Sequence, residues 1–321
     1  MTEASRAEAR TSRKRLGWLA LRIGVTAAAL TWTVTRVSLD DMLQAASRIG
    51  AGALAAAVAI GCSNLFVGAL RWKVMLIAYG AKRPPSVLHL ARVYFVSLFY
   101  NTFLPGNVGG DVLRGHVTRS AFEGASAAYV VVFVERLFGL AGLLLLGATV
   151  LSVHPVGGVD LPLVAGGAAI AAVGAALFPL VGRRMAPILP GILGRIAASF
   201  PVVERPALLL LVLLLSCGTQ LVVALTGHVL VHAVDPEVPL ADSLVLVPVA
   251  LIALYFPAAV AGIGVREAAF VFLFTGVGMA AADATAASLA FLAASLVVAL
   301  FGGLSHVIFP LSQGGPRNGG Q

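Results

Sequence analysis

Six charged residues stand inside stretches that are otherwise apolar: Asp111, Arg114, Glu135, Arg136, Arg266 and Glu267. An ionised side chain surrounded by apolar chain is costly, so those that occur there are paired with one another or face a ligand. Their formal charges sum to zero, so one reading is mutual neutralisation that locks the fold. Spacing limits the pairing. Asp111 and Arg114 are three residues apart and can face each other on a helix, whereas Glu135 and Arg136 are neighbours and each needs a partner on another segment. The other reading adds the glycines. Gly109 and Gly110 precede Arg114, and Gly262 and Gly264 precede Arg266. A glycine lets backbone approach a ligand closely. A helix that restarts at such a break offers free N–H groups and a positive dipole end to an anion. Two such starts, each with an arginine, would make an anion site suited to a phosphate.

The two glycine segments resemble each other. One runs P-G-N-V-G-G-D-V-L-R from Pro105 to Arg114, the other P-A-A-V-A-G-I-G-V-R from Pro257 to Arg266, and both fit P-x-x-V-x-G-x-x-x-R. At the same offset Pro84 falls on Pro236, Leu88 on Leu240 and Val93 on Val245. A similar helix opening follows each, GASAAY at Gly124 and DATAAS at Asp283. This is read as an internal repeat, with units of about 84–152 and 236–310.

The elements that carry these residues are membrane helices. Of 321 residues 59% are hydrophobic and 11% charged, with mean hydropathy +0.97; a soluble domain carries about a quarter charged residues. The net charge of +8 is scattered among apolar spans. It therefore reads as topology signals and lipid-surface contacts, and nucleic acid is not an expected partner. Cys62 and Cys217 lie in apolar runs with no metal-ligand spacing, so no metal, cofactor or disulfide is expected. GNVGGD lacks the Lys-Ser/Thr ending of a nucleotide loop. No nucleophile, triad or metal set appears, and the chain is not expected to be an enzyme.

Spans of about 20 apolar residues are expected at Trp18–Thr35, Ala51–Ile77, Ala125–Val153, Leu161–Val181, Ala207–Val231 and Ala284–Pro310. Val87–Leu104 stops at Pro105, Leu240–Phe256 stops at Pro257, and Glu267–Val277 is short. Residues 1–16 form a basic tail, 17–310 one transmembrane domain and 311–321 a glycine-rich tail expected to be disordered. The stretch from Arg183 to Arg205 is expected at the interface.

Positive loops mark the cytoplasmic side. Arg6, Arg10, Arg13, Lys14 and Arg15 place the N-terminus there, as do Arg71, Lys73, Lys82 and Arg83 for the link after the second span. Arg183, Arg184, Arg195 and Arg205 do the same for the later basic stretch. VHPVGGVD and HAVDPEVP carry no Lys or Arg and belong outside. Every loop then agrees if each glycine segment is the tip of a hairpin that enters and leaves on one side. The expected fold is all-α: six full crossings and two re-entrant hairpins of opposite orientation forming an inverted repeat, or eight spans if the hairpin arms cross. Both termini are expected in the cytoplasm. Inverted repeats with broken helices are a transporter layout.

Among the remaining polar residues, Asn64, Gln220 and His228 are expected to bond between helices. His89 and His116 lie near an interface. Asn101 and Asn107 flank the first turn and are expected to cap backbone groups.

The stretches ALRWKVML, NTFLPGNVGGDVLRGH, ERLFGLAGLLLL and FPAAVAGIGVREAAFVFLF resemble the flippase-like membrane domain of lysylphosphatidylglycerol synthases and its stand-alone relatives. They run from about Ala69 to Phe274. The resemblance implies a multi-pass protein of the bacterial inner membrane that moves a lipid between leaflets. Fused members carry a soluble aminoacyltransferase domain after the membrane part. This chain ends at SQGGPRNGGQ, so it is expected not to make lysylphosphatidylglycerol. The implied partners are membrane lipids, an anionic phospholipid or a polyprenyl-linked lipid; a second copy of the chain or a lipid-biosynthesis enzyme is left open. The rival readings are an ion-coupled carrier of a small anion and a non-transporting scaffold of a lipid-modifying complex.

Overall fold

The computed structural model describes residues 37–104, 108–156, 160–198, 200–252 and 264–309, with the isolated positions 31 and 35. Among these residues there are eleven α-helices and no strand. They are α1 (Leu39–Arg48), α2 (Ala51–Ala78), α3 (Val87–Phe103), α4 (Gly109–Thr118), α5 (Ala125–Leu151) and α6 (Leu161–Met185). After these come α7 (Gly191–Ala198), α8 (Ala207–Val234), α9 (Leu240–Ile252), α10 (Val265–Thr275) and α11 (Ala281–Ile308).

Five helices, α2, α5, α6, α8 and α11, are long and apolar enough to cross a membrane. At 25 to 28 residues each is about 40 Å long, more than the roughly 30 Å of hydrocarbon to be crossed. They match five of the six expected crossings. The sixth, Trp18–Thr35, lies almost wholly outside the described residues, as do both terminal tails, Pro105 and Pro257. The outer faces of these helices expose Phe66, Leu70, Phe133, Ile170, Leu210, Leu214 and Leu300, as the surface of an all-α multi-pass membrane protein does.

The four remaining helices of the repeated segments are shorter. The 17 residues of α3 make about 26 Å, and α4, α9 and α10 are shorter still. The Ser86 hydroxyl starts α3 by accepting the His89 N–H at 3.2 Å, a normal N-cap. α3 stops at Leu104, and α4 restarts at Gly109 and packs back on it. The second pair, α9 and α10, packs together in the same way.

Backbone and side-chain contacts fix which ends meet. Ala78, at the finish of α2, accepts N–H groups from Glu204 and Arg205 at 2.9 and 3.2 Å, and Lys82 N–H donates to Ala121 at 3.0 Å. That end of the bundle therefore gathers the finish of α2, the start of α3, the finish of α4 and the starts of α5 and α8. At the opposite end Arg48 donates to the Val234 carbonyl at 2.7 Å and pairs with Asp283, and His154 lies 2.9 Å from Asp242. This end gathers the starts of α2, α9 and α11 and the finishes of α5 and α8. The α3–α4 pair begins and ends at the first end; α9–α10 begins and ends at the other. The apolar core divides accordingly. One cluster holds Trp72, Met75, Leu90, Val93, Val131 and Phe138. The other holds Leu230, Val247, Phe270, Phe274, Ala287 and Phe291.

Candidate functional site

The charges of the first segment converge on Glu135. Its side of α5 is packed into the bundle, and only 1% of the residue is exposed. Oε1 accepts from Arg71 Nε at 3.2 Å and Nη2 at 2.9 Å, and from the Tyr94 hydroxyl at 2.6 Å. Oε2 accepts from Arg114. Asp111 lies 3.9 Å from Arg114 and takes two bonds from Arg136, Nε at 2.6 Å and Nη2 at 2.5 Å. Arg71 also donates to Ser216 at 3.3 Å and Thr219 at 3.2 Å on α8. Five helices, α2, α3, α4, α5 and α8, thus meet in one polar network.

Arg114 sits at its centre. The guanidinium lies 4.3 Å from the Trp72 ring centre and 4.1 Å from that of Tyr94, a double cation–π contact. Its Nε and the neighbouring Trp72 Nε1 are buried with no hydrogen-bond partner among the described residues. The network's outer edge is the Asp111–Arg136 pair, with the Arg136 side chain 32% exposed.

The sum of charges differs from the expected zero. Arg71, placed by its basic neighbours in a cytoplasmic link, lies inside α2, which continues seven residues beyond it to Ala78. It is buried. Three guanidinium groups, of Arg71, Arg114 and Arg136, face two carboxylates, of Asp111 and Glu135, a formal excess of one positive charge. An excess cation in a low-dielectric interior attracts an anion strongly. Glu135 is occupied by four donor groups, which leaves it poorly placed to take a proton from a substrate.

Arg266 and Glu267 do not join this network. They pair with each other at the start of α10, although adjacent on the helix. Both are buried. The second Glu267 oxygen accepts the Gly264 N–H at 2.7 Å, half of a capping box. Gly264 has φ +86°, a backbone that side-chain-bearing residues rarely adopt. Arg266 Nε is buried without a partner among the described residues.

The glycines do more for packing than for a ligand. A Cβ at Gly110 would lie 2.8 Å from Ser97 Cα, so the missing side chain is what lets α4 lie against α3. The Gly110 N–H is taken by Asn101 Oδ1 at 2.7 Å, the capping role expected of Asn101. Gly109 abuts the Leu104 side chain. Gly262 and Asn107 lie outside the described residues. Gln220 bonds the Gly139 carbonyl at 3.1 Å and His228 the Ser243 hydroxyl at 3.0 Å, both between helices as expected. Asn64 Oδ1 finds no partner. His116 lies 3.2 Å from Arg119. Arg71, Trp72 and Tyr94 were not among the expected site residues. The length of apolar helix after Arg71 is the signal that could have marked it.

A family model described as the lysylphosphatidylglycerol synthase TM region matches residues 19–303. Among curated proteins none matches the sequence.

Proposed function

The chain belongs to the lysylphosphatidylglycerol synthase TM region family, and from that premise we propose that it is a lipid translocase of the bacterial inner membrane that moves an anionic phospholipid or lipid-linked intermediate between leaflets. The observation that carries the reading is the buried excess of positive charge around Arg114. A headgroup phosphate meets Arg114 from the side of Asp111 and Arg136, and the unmet Nε–H of Arg114 and Nε1–H of Trp72 are donors for its oxygens. The acyl chains stay in the bilayer.

The hairpins supply the route. In this reading α3–α4 and α9–α10 are re-entrant and open toward opposite leaflets, an inverted repeat. Two features support it. The pairs begin and end at opposite ends of the bundle. Packing partners also correspond: α2 with α3 as α8 with α9, α4 with α5 as α10 with α11, and α3 with α11 as α9 with α5. The end that holds α3 carries Lys82, Arg83, Arg119 and Arg205 in its links and is the cytoplasmic one by charge, with both termini on that side.

The test is transbilayer movement of labelled lipids in proteoliposomes across a panel of headgroups. Phosphatidylglycerol is moved and neutral diacylglycerol is not accelerated. Equal movement of the neutral lipid would overturn the reading. Full competition by soluble phosphate esters would leave a small-anion carrier in its place, and no movement of any lipid would leave a scaffold.

A further inference from the structure

A second cation lies in the first hairpin, apart from the Glu135 network. Arg92 is on the second turn of α3, about 8 Å along the helix from its start. No carboxylate among the described residues pairs with it. Its Nε and Nη2 are buried and have no hydrogen-bond partner. The guanidinium lies 5.7 Å from the ring centre of Phe309, at the finish of α11. One turn earlier on α11 stands His306, on the same helix face. Its Nδ1 is also buried without a partner, while its ring stands edge-on to Tyr100 at 6.0 Å. Two helices thus bring buried, unmet polar groups to the seam between them. An arginine cannot shed its proton to escape this cost, and no described residue supplies these nitrogens with an acceptor.

The surroundings say which acceptor. Leu88 on α3 and Leu304, Val307, Ile308 and Phe309 on and after the last turns of α11 are all exposed. On a membrane bundle these face acyl chains. Arg92 lies between one and two turns from the start of α3 and His306 within the last turn of α11, near the helix ends, where a span of this length meets headgroups. A soluble anion meets the donors but gains nothing from the exposed apolar residues; a phospholipid satisfies both. We propose that the α3–α11 seam binds the phosphate of an anionic phospholipid from the leaflet at the α3 end, with Arg92 and His306 as its polar contacts and an acyl chain along Leu304 and Ile308. This site is separate from the one at Arg114 and holds whether or not the protein moves lipid.

The experiment is lipid retention by the full chain, reconstituted in an equimolar phosphatidylglycerol–phosphatidylcholine mixture and read by native mass spectrometry. The wild type retains phosphatidylglycerol preferentially. Arg92→Gln reduces that preference about tenfold, the scale of one lost charge-assisted contact, and His306→Phe reduces it less. Glycerol 3-phosphate at millimolar concentration does not displace the lipid. Because no carboxylate among the described residues is stranded by its loss, Arg92→Gln melts like the wild type in pure phosphatidylcholine. Unchanged preference in folded Arg92→Gln overturns the site. So does collapse of that variant in phosphatidylcholine, which would give Arg92 a role in the fold itself; His306→Phe then reports on the seam independently, and its unchanged preference is a second refutation. Displacement by glycerol 3-phosphate overturns the lipid and leaves a site for free phosphate.

Discussion

Arg114 and Arg266 hold the same place in the repeated motif, yet their surroundings differ. Arg114 is gripped from α2, α3 and α5 by two aromatic rings and Glu135. Arg266 is answered by its own neighbour, Glu267, which also caps its helix. The first arrangement joins five helices and carries one more positive than negative charge; the second is local and neutral. Two copies of one motif have thus been put to different uses. A neutral adjacent pair costs little to keep and fixes a helix start. A many-helix network with a surplus cation costs more, and the surplus is what an anionic ligand can answer.

The sharpest way to break this comparison is at Glu135. Glu135→Gln leaves Arg71 and Arg114 buried without their carboxylate. Breaking a buried pair from one side costs about 3–5 kcal/mol, and here two cations lose one partner. The variant is expected at or beyond the upper part of that range, with loss of monodisperse protein in detergent. Normal thermal unfolding of Glu135→Gln would mean that water or lipid already neutralises the arginines.

Next come the two arginines themselves. Arg266→Gln leaves Glu267 buried with the Gly264 N–H as its remaining partner among the described residues, so it is expected to destabilise by about 3 kcal/mol. Arg114→Gln leaves Glu135 with Arg71 and Tyr94 and brings the network's formal charge to zero. Its cost is expected to be smaller, about 1–2 kcal/mol, chiefly the lost contacts with the two rings. Movement of anionic lipid should nevertheless vanish in it. Melting temperature and transbilayer movement, measured together, separate the two. An Arg114→Gln that is less stable than Arg266→Gln but still moves lipid would exchange the roles assigned here.

Much of this was legible in the sequence, for identifiable reasons. Long apolar runs can only be helices in a bilayer, because backbone groups find no partners there otherwise; five expected crossings appear within a few residues of their expected bounds. Asp111, Glu135 and Arg136 stood out as charges between apolar runs, and adjacency forced Glu135 and Arg136 to seek separate partners, as they do. Adjacency does not have that effect at Arg266 and Glu267, whose long and short side chains reach each other from adjacent positions. Arg71 was hidden by Lys73, since basic residues near a span end look like topology signals. Trp72 and Tyr94 look like core residues from sequence, because a ring's use as a cation platform depends on which arginine packs against it. Pro105 and Gly262, which the repeated motif singles out, lie outside the described residues.

The glycines sharpen the comparison at smaller scale. Gly110→Ala pushes a Cβ against Ser97 on the facing helix and is expected to cost about 1–3 kcal/mol as overpacking, and to disturb the Arg114 network by moving α4. Gly264→Ala is a backbone effect: at φ +86° and ψ −51° a side chain costs about 1–3 kcal/mol. Because ψ there is −51°, outside the left-handed helical basin that Asn favours, Gly264→Asn should cost about as much as Gly264→Ala, whereas Gly110→Asn should be worse than Gly110→Ala. Thermal unfolding of the four variants checks the contrast. An Asn clearly worse than Ala at both positions would remove the distinction between close approach and backbone conformation.

The smallest effect is expected at an ion pair of the same chemistry outside the spans. Lys82 Nζ lies 2.7 Å from Glu123 in the links at the α3 end, and both side chains are exposed. The hydrogen bond between them raises the Lys82 pKa and lowers that of Glu123. A lowered carboxylate contributes above its ordinary range and loses the contribution as pH falls through its folded-state value; a raised ammonium contributes below its ordinary range and loses it as pH rises through its folded-state value. The pair is therefore complete at neutral pH and fails at either extreme. Exposed pairs add little and are screened by salt, so Glu123→Gln should leave the melting temperature unchanged. It should show only locally, as faster amide exchange at Lys82, whose N–H bonds the Ala121 carbonyl. That difference should disappear in high salt, and also at a pH low enough to protonate Glu123, once intrinsic exchange rates are corrected for. High salt should not touch the effect of Glu135→Gln, because the buried network is out of reach of mobile ions. If Glu123→Gln lowered the melting temperature as Glu135→Gln is expected to, burial would not be what separates the two pairs, and the weight placed on the buried surplus at Arg114 would have to be withdrawn.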